Sequence, residues 1–325
     1  MMNINKSKLY MTLLSVLGVV IFALNIELSN HSLSNWVLIY LLTGSVLLIN
    51  FFNIILPPNG NTLSMDTAVY LAALYLFGLD VTLTVLLLSS IFGLFFFSKI
   101  QWLKHLFNFA NYSLIILAAY TSFLILGGTI GDTNFTNLIP YIVSISIYFI
   151  LNVIIIGIYF YLYSAKELIN MLKGILKKGI LKESLVSYTS TIILALVLTI
   201  LLEATRYFGL FLFTLLIVLL SFAFTKFFTL YKEVEEKANK DFLTDLFNHG
   251  YFKLQLDEHL KQMESYEVFS VAILDIDDFK KYNDLNGHLQ GDELLKFFGS
   301  YLKEKTEPFG KIWWRRIYHF NAENR

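Results

Sequence analysis

Eight apolar stretches, each long or nearly long enough to cross a bilayer, fill the first 225 residues and decide how that part of the chain can fold. They lie near 9–26, 36–56, 66–79, 80–97, 107–127, 138–163, 186–203 and 207–225. Crossing about 30 Å of hydrocarbon takes about 20 helical residues. The third stretch is short, and Gly78 with Asp80 marks its junction with the fourth. Composition agrees: 56% of the 325 residues are hydrophobic and only 15% are charged, against roughly a quarter charged in a soluble domain. The run after Lys8 has no clear small-residue cleavage site and is read as a retained first helix. Cysteine is absent, which excludes disulfides and thiolate metal sites.

The sparse charges carry the orientation. With both termini on one face, the segments on that face hold Lys6, Lys8, Lys99, Lys104, Lys166, Lys173, Lys177, Lys178 and Lys182. The opposite loops hold Arg206 beside Glu27, Asp80, Asp132 and Glu203. Positive charge collects on the cytoplasmic side of such proteins, so a multi-pass protein of the cytoplasmic (inner) membrane with both termini inside is expected. Ala165 to Leu185 has lysines between helix-spaced apolar residues. It reads as an amphipathic helix on the anionic inner leaflet, or as a long inner loop. A transporter is disfavoured because the spans hold almost no ionisable residues, with Asp66 and Glu203 near expected ends. Asn50, Asn53, Asn108, Asn111 and Asn152 serve either as interhelical glue or as part of a small-ligand site.

Charge becomes frequent from Lys226, so a linker over 226–240 and a soluble part beyond it are expected. Phe227, Tyr231, Val234, Ala238 and Asp241 step by four and three, the seam of a short coiled coil and hence of a homodimer. A solvated helix is the other reading. Phe242 to Met263 has helix-spaced apolar residues (Leu243, Leu246, Phe247, Leu254, Leu260). Glu267-VFSVAILDIDD then reads as a buried strand ending in acids. Alternation along a strand puts Asp275 and Asp277 on one side and Ile276 on the other. Carboxylates at the end of a buried strand call for donors or a cation, and a hard ion such as magnesium suits oxygen ligands and bridges to phosphates. A turn containing Asn283 follows. A second helix is expected to open around Asp292 and Glu293, with Leu294, Leu295, Phe298 and Leu302 on its apolar face.

Asp241-FLTDLFNH and Asp275-IDDFKKYNDLNGHLQGDELL closely resemble the opening of diguanylate cyclase (GGDEF) domains. That family begins D-x-L-T-x-L-x-N-R and continues D-I-D-x-F-K-x-x-N-D-x-x-G-H-x-x-G-D. His249 stands where the family usually has Arg. The resemblance implies an α/β, polymerase-palm-like domain that joins two GTP molecules into cyclic di-GMP between two copies, with Mg2+ and without a nucleic-acid partner. It implies that Asp275 and the Ile276 carbonyl hold the metal and that Asn283 and Asp292 bind the guanine edge. The amides near Asp278 and Phe279 would face the phosphates, with Lys280 adding positive charge.

The family's signature GG(D/E)EF hairpin is expected soon after Pro308, where the sequence instead reads Lys311-IWWRRIYHF-NAENR. Trp313 and Trp314 are each encoded by TGG. With AGA for both following arginines, the frame shifted by one base spells Arg-Tyr-Gly-Gly-Glu-Glu-Phe-Ile-Ile. The tail from about Gly310 is therefore expected to be an out-of-frame reading of that hairpin, with a genuine divergent tail as the other reading, and this polypeptide is expected to be inactive. The family's feedback motif R-x-x-D aligns with Glu304-KTE, which predicts no product inhibition there. The organisation expected is a polytopic α-helical membrane domain (1–225), a linker (226–240) and an incomplete GGDEF domain (241–325). The alternative is a non-catalytic membrane sensor or scaffold.

Overall fold

The computed structural model describes residues 2–27, 32–56, 61–63, 65–96, 101–164, 180–262 and 274–306. The chain divides into two compact units, Met1–Lys226 and Phe227–Arg325.

The first unit is built from α1 (Met2–Asn25), α2 (Leu33–Phe51), α3 (Asp66–Phe96), α4 (Trp102–Ile125), α5 (Leu138–Ser164), α6 (Ile180–Thr205) and the start of α7 (Tyr207–Asn239). All seven contain stretches long and apolar enough to cross a membrane. A small antiparallel pair, β1 (Ile54–Leu56) and β2 (Asn61–Leu63), sits between α2 and α3, with Ile54 opposite Leu63.

The eight separate spans expected from sequence become seven helices because the third and fourth stretches fall in α3. That helix is broken at Gly78, whose φ of 84° and ψ of −174° no helix contains. The break is a reversal. Tyr70 and Ser89, 19 positions apart, hydrogen-bond through their side chains at 2.8 Å, whereas a straight helix would separate them by about 28 Å. The first arm, Asp66 to Phe77, is roughly 18 Å long, too short to cross about 30 Å of hydrocarbon.

Packing within this unit follows from small residues and internally satisfied hydroxyls. Gly18 of α1 lies so close to α4 that an added Cβ would stand 2.4 Å from the Ala110 Cβ. Tyr75, Phe123 and Tyr141 form a buried aromatic cluster with ring centroids 4.6 to 5.3 Å apart. Thr82, Thr199 and Thr214 donate to the carbonyl four residues back, which keeps each hydroxyl satisfied without water. Asn111, Asn152 and Tyr188 link α4, α5 and α6 through 2.8 Å bonds, the interhelical role open to these asparagines. Of the segment 165–185, the structure describes only 180–185, which begin α6.

The second unit starts within α7 and continues through α8 (His249–Gln262), α9 (Phe279–Asn286) and α10 (His288–Thr306). Three expectations need correction. Asp241 is not on the linker helix, which ends at Asn239; the seam of four-and-three spacing stops at Ala238. Residues 242–248 do not form a helix: Asp241 caps a single turn closed by the Asp245 amide on the Asp241 carbonyl, and Asp245 itself, at φ 54°, ends it. The last helix opens at His288 rather than near Asp292, since Gly287, at φ 82°, is enough to separate α9 from α10. The strand expected from Glu267 lies largely outside the described residues, as does the tail from Glu307.

Candidate functional site

The Asp241-FLTDLFN string folds into a hook. Asp241 Oδ1 accepts from the Leu243 amide (3.2 Å), the Thr244 amide (3.0 Å) and the Thr244 hydroxyl (2.9 Å). The Asp241 amide in turn donates to the Leu246 carbonyl at 2.7 Å. Asn248 closes the hook: its amide donates to the Asn239 carbonyl, its Nδ2 to the Ala238 carbonyl, and its Oδ1 caps α8 by accepting from the Tyr251 amide at 3.0 Å. Asp, Leu, Thr and Asn at this spacing are thus one backbone device, with Leu246 and Thr244 buried beneath it.

The hook is tied to α10. A Cβ on Gly299 would stand 2.9 Å from the Thr244 carbonyl oxygen, so only glycine lets that helix pass. Asp245, at φ 54°, pairs with Lys303 at 2.7 Å and Lys240 at 3.1 Å. Those hydrogen bonds, Lys303 first and then Lys240, hold its carboxyl below the ordinary carboxylate range.

The second string builds the segment that the resemblance assigns to the nucleotide. Asp278 adopts φ 56° immediately before α9. The amides that open α9 at Phe279 and Lys280 belong to its first turn, where helix N–H groups have no partner within the helix and favour an anion. Lys280 is exposed beside them. On the other side of the turn, Asn283 leans against Gly291: an added Cβ there would meet the Asn283 Oδ1 at 1.8 Å. The same Oδ1 is enclosed and accepts no hydrogen bond among the described residues. Asp292 follows Gly291 and is half-buried. The Asn283 side chain therefore lies against the backbone of Gly291, the residue before Asp292.

Asp275 is exposed and Ile276 partly so, where the described chain resumes. Their carboxylate and carbonyl oxygens are hard donors of the kind Mg2+ takes. Asp275 and Ile276 are the residues that would hold such an ion. Among the described residues no group of three acidic, His or Cys side chains forms a closed metal centre. Gly291 is the second glycine of the G-H-x-x-G-D stretch, whereas the only sequence signal of Gly299 is that it falls inside an otherwise helical pattern.

Comparison with known proteins converges on this region. Residues 238–315 match the family described as "Diguanylate cyclase, GGDEF domain". The uncharacterized protein YhcK of Bacillus subtilis is 35% identical over 88 residues, covering 26% of this chain and 24% of that protein. Diguanylate cyclase DgcS of Shewanella oneidensis is 36% identical over 74 residues, 22% of this chain and 25% of its own. An uncharacterized membrane protein of Staphylococcus aureus is 33% identical over 87 residues, 26% of this chain and 24% of its own. The chain therefore spans about a quarter of the length of each of these relatives. No solved structure matches. Residues 238–315 carry GGDEF-domain sequence of the diguanylate cyclase family, in one chain with seven helices, among the described residues, that are long and apolar enough to cross a membrane.

Proposed function

We propose that this is a membrane-anchored protein of cyclic di-GMP signalling, whose domain type condenses two GTP molecules through attack of each 3′-hydroxyl on the other's α-phosphate. The observation that carries the reading is the enclosed, unpartnered Asn283 Oδ1 against Gly291, next to Asp292, inside the GGDEF match. In this reading Asn283 and Asp292 take the guanine edge. The α9 amides and Lys280 take phosphate, and Asp275 with the Ile276 carbonyl holds Mg2+ within an α/β, palm-like domain. The bundle crosses the cytoplasmic membrane with both termini inside, as the lysine distribution argues. Phe227 and Val234, 55% and 66% exposed on α7, supply the seam between two copies.

No Gly-Gly-acid-Glu-Phe string occurs in the 325 residues. This favours a second statement within the proposal: the polypeptide of this sequence does not itself make cyclic di-GMP, and acts, if at all, through its bundle and its paired linker. Fluorescence binding of a GTP analogue to the full chain tests the site, with Asn283→Ala and Asp292→Ala each expected to weaken binding tenfold or more. Equal binding by both variants and the parent chain would refute the base-edge assignment.

A further inference from the structure

The spans hold a buried carboxylate that the nucleotide chemistry does not use. Asp66, the first residue of α3, is 5% exposed. Its Oδ1 accepts from the Thr67 amide at 2.8 Å. Its Oδ2 accepts from Asn50 Nδ2 on α2 and from the Tyr112 hydroxyl on α4, each at 3.4 Å. Around it the Thr67 and Tyr148 hydroxyls lie 3.3 Å apart, and the Tyr70 ring packs 5.4 Å from that of Tyr112.

The reversal at Gly78 fixes its depth. Asp80, just past the turn, accepts from the Glu27 amide after α1, and Tyr75 accepts from Gly131 in the loop after α4. These contacts put the Gly78 end of the arm level with the helix ends. Asp66 lies at the other end of the arm, roughly 18 Å away, which is inside a 30 Å hydrocarbon layer. A second ruler agrees, for Tyr112 stands ten residues beyond Trp102 on α4, about 15 Å along that helix. The sequence places no Lys or Arg between Lys8 and Lys99.

We propose that Asp66 is the charged centre of an intramembrane binding site for a small cation, H+ or Na+, completed by Asn50, Thr67 and Tyr112. An ionised carboxylate at this depth is costly, and such groups mark ion or proton sites. Two of the contacts to Oδ2, from Asn50 and Tyr112, sit at the outer limit of a hydrogen bond. The hydroxyls of Thr67, Tyr112 and Tyr148 can each turn a lone pair toward an entering cation.

The test uses the full chain in lipid nanodiscs, following its thermal unfolding midpoint against pH in sodium chloride and in choline chloride. Among the described residues, the titratable groups facing Asp66 include Tyr70 on its own helix, Tyr112 on α4 and Tyr148 on α5. Lys104 and His105 stand nearer the start of α4, and Tyr188 on α6 adjoins Asn152. A midpoint that rises with sodium at fixed pH identifies a sodium site, and one that rises only on acidification identifies a proton site. Asp66→Asn is expected to abolish either response, and His105→Gln to retain it. Tyr112→Phe is expected to shift the half-saturating concentration by about threefold, the scale of one lost hydrogen bond, which keeps the test decisive if Asp66→Asn does not fold. A parent chain indifferent to both ions, a full response in Asp66→Asn, or an unshifted Tyr112→Phe would overturn the proposal.

Discussion

Asp241→Ala is expected to open the hook at the start of the GGDEF segment. One carboxylate oxygen accepts three hydrogen bonds there, at 2.9 to 3.2 Å, from two amides and one hydroxyl. A hydrogen bond to a charged group contributes about 1.5–3 kcal/mol, an ordinary one about 1. The hook is partly exposed, so water recovers some of the loss, and a net cost of about 2 kcal/mol is expected for the three together. That is about a thirtyfold change in the local opening equilibrium. Amide hydrogen exchange on the full chain reads it directly at Leu243, Thr244 and Leu246. Their protection falls together, because the Leu246 amide donates to the Thr244 hydroxyl, which itself donates to Asp241 and moves once the loop is released. Asp241→Asn keeps a neutral acceptor and is expected to recover about half of the loss. Unchanged protection in Asp241→Ala, or equal loss in both variants, would refute the view that this carboxylate builds the loop.

Three further outcomes follow from other residues. Gly78 occupies a backbone region open essentially to glycine alone, although nothing lies within 4 Å of an added Cβ. Gly78→Ala and Gly78→Asn are therefore both expected to lower bundle stability by about 1–3 kcal/mol, through strain and not crowding, as read by unfolding in detergent. The Asp245 carboxyl is depressed, chiefly by Lys303. Its contribution is thus present above the ordinary carboxylate value near about 4 and is lost as pH falls through the lower folded value. Hydrogen exchange at the α10 end of that pair is expected to rise over this acid window in the parent chain, and to show no such acid step in Lys303→Met. Gly291→Ala forces the Asn283 amide aside from 1.8 Å, a flexible side-chain end. It is expected to weaken binding of a GTP analogue about tenfold while moving the unfolding midpoint little; a large stability loss with unchanged binding would contradict the role given to Asn283.

What was legible in the sequence was what hydrophobic length and motif identity determine. Apolar runs located the helices because a bilayer leaves them few alternatives, and the Asp241 and Asp275 strings located the family segment. The reversal at Gly78 was only half legible: the residue was singled out as a junction, but the shortness of the first arm, and with it the depth of Asp66, depends on tertiary contacts such as Tyr70 with Ser89. Leu243, Leu246 and Phe247 have the spacing of a helix, but the turn that Asp241 caps stops at Asp245, whose left-handed φ of 54° no apolar spacing reveals. In the same way His288 opens α10 four residues early, because Gly287 and not the acids at Asp292 and Glu293 sets the boundary.

The most direct test of the proposed signalling role measures conversion of GTP to cyclic di-GMP by two membrane preparations. One carries the 325-residue polypeptide. The other carries a version whose reading frame is shifted near Gly310 so that Gly-Gly-Glu-Glu-Phe follows Tyr, continuing in that frame. The account predicts no product above a blank from the first and Mg2+-dependent product from the second, removed by Asp275→Ala. Turnover by the 325-residue chain, or a shifted frame that binds no GTP and makes no product, would contradict it.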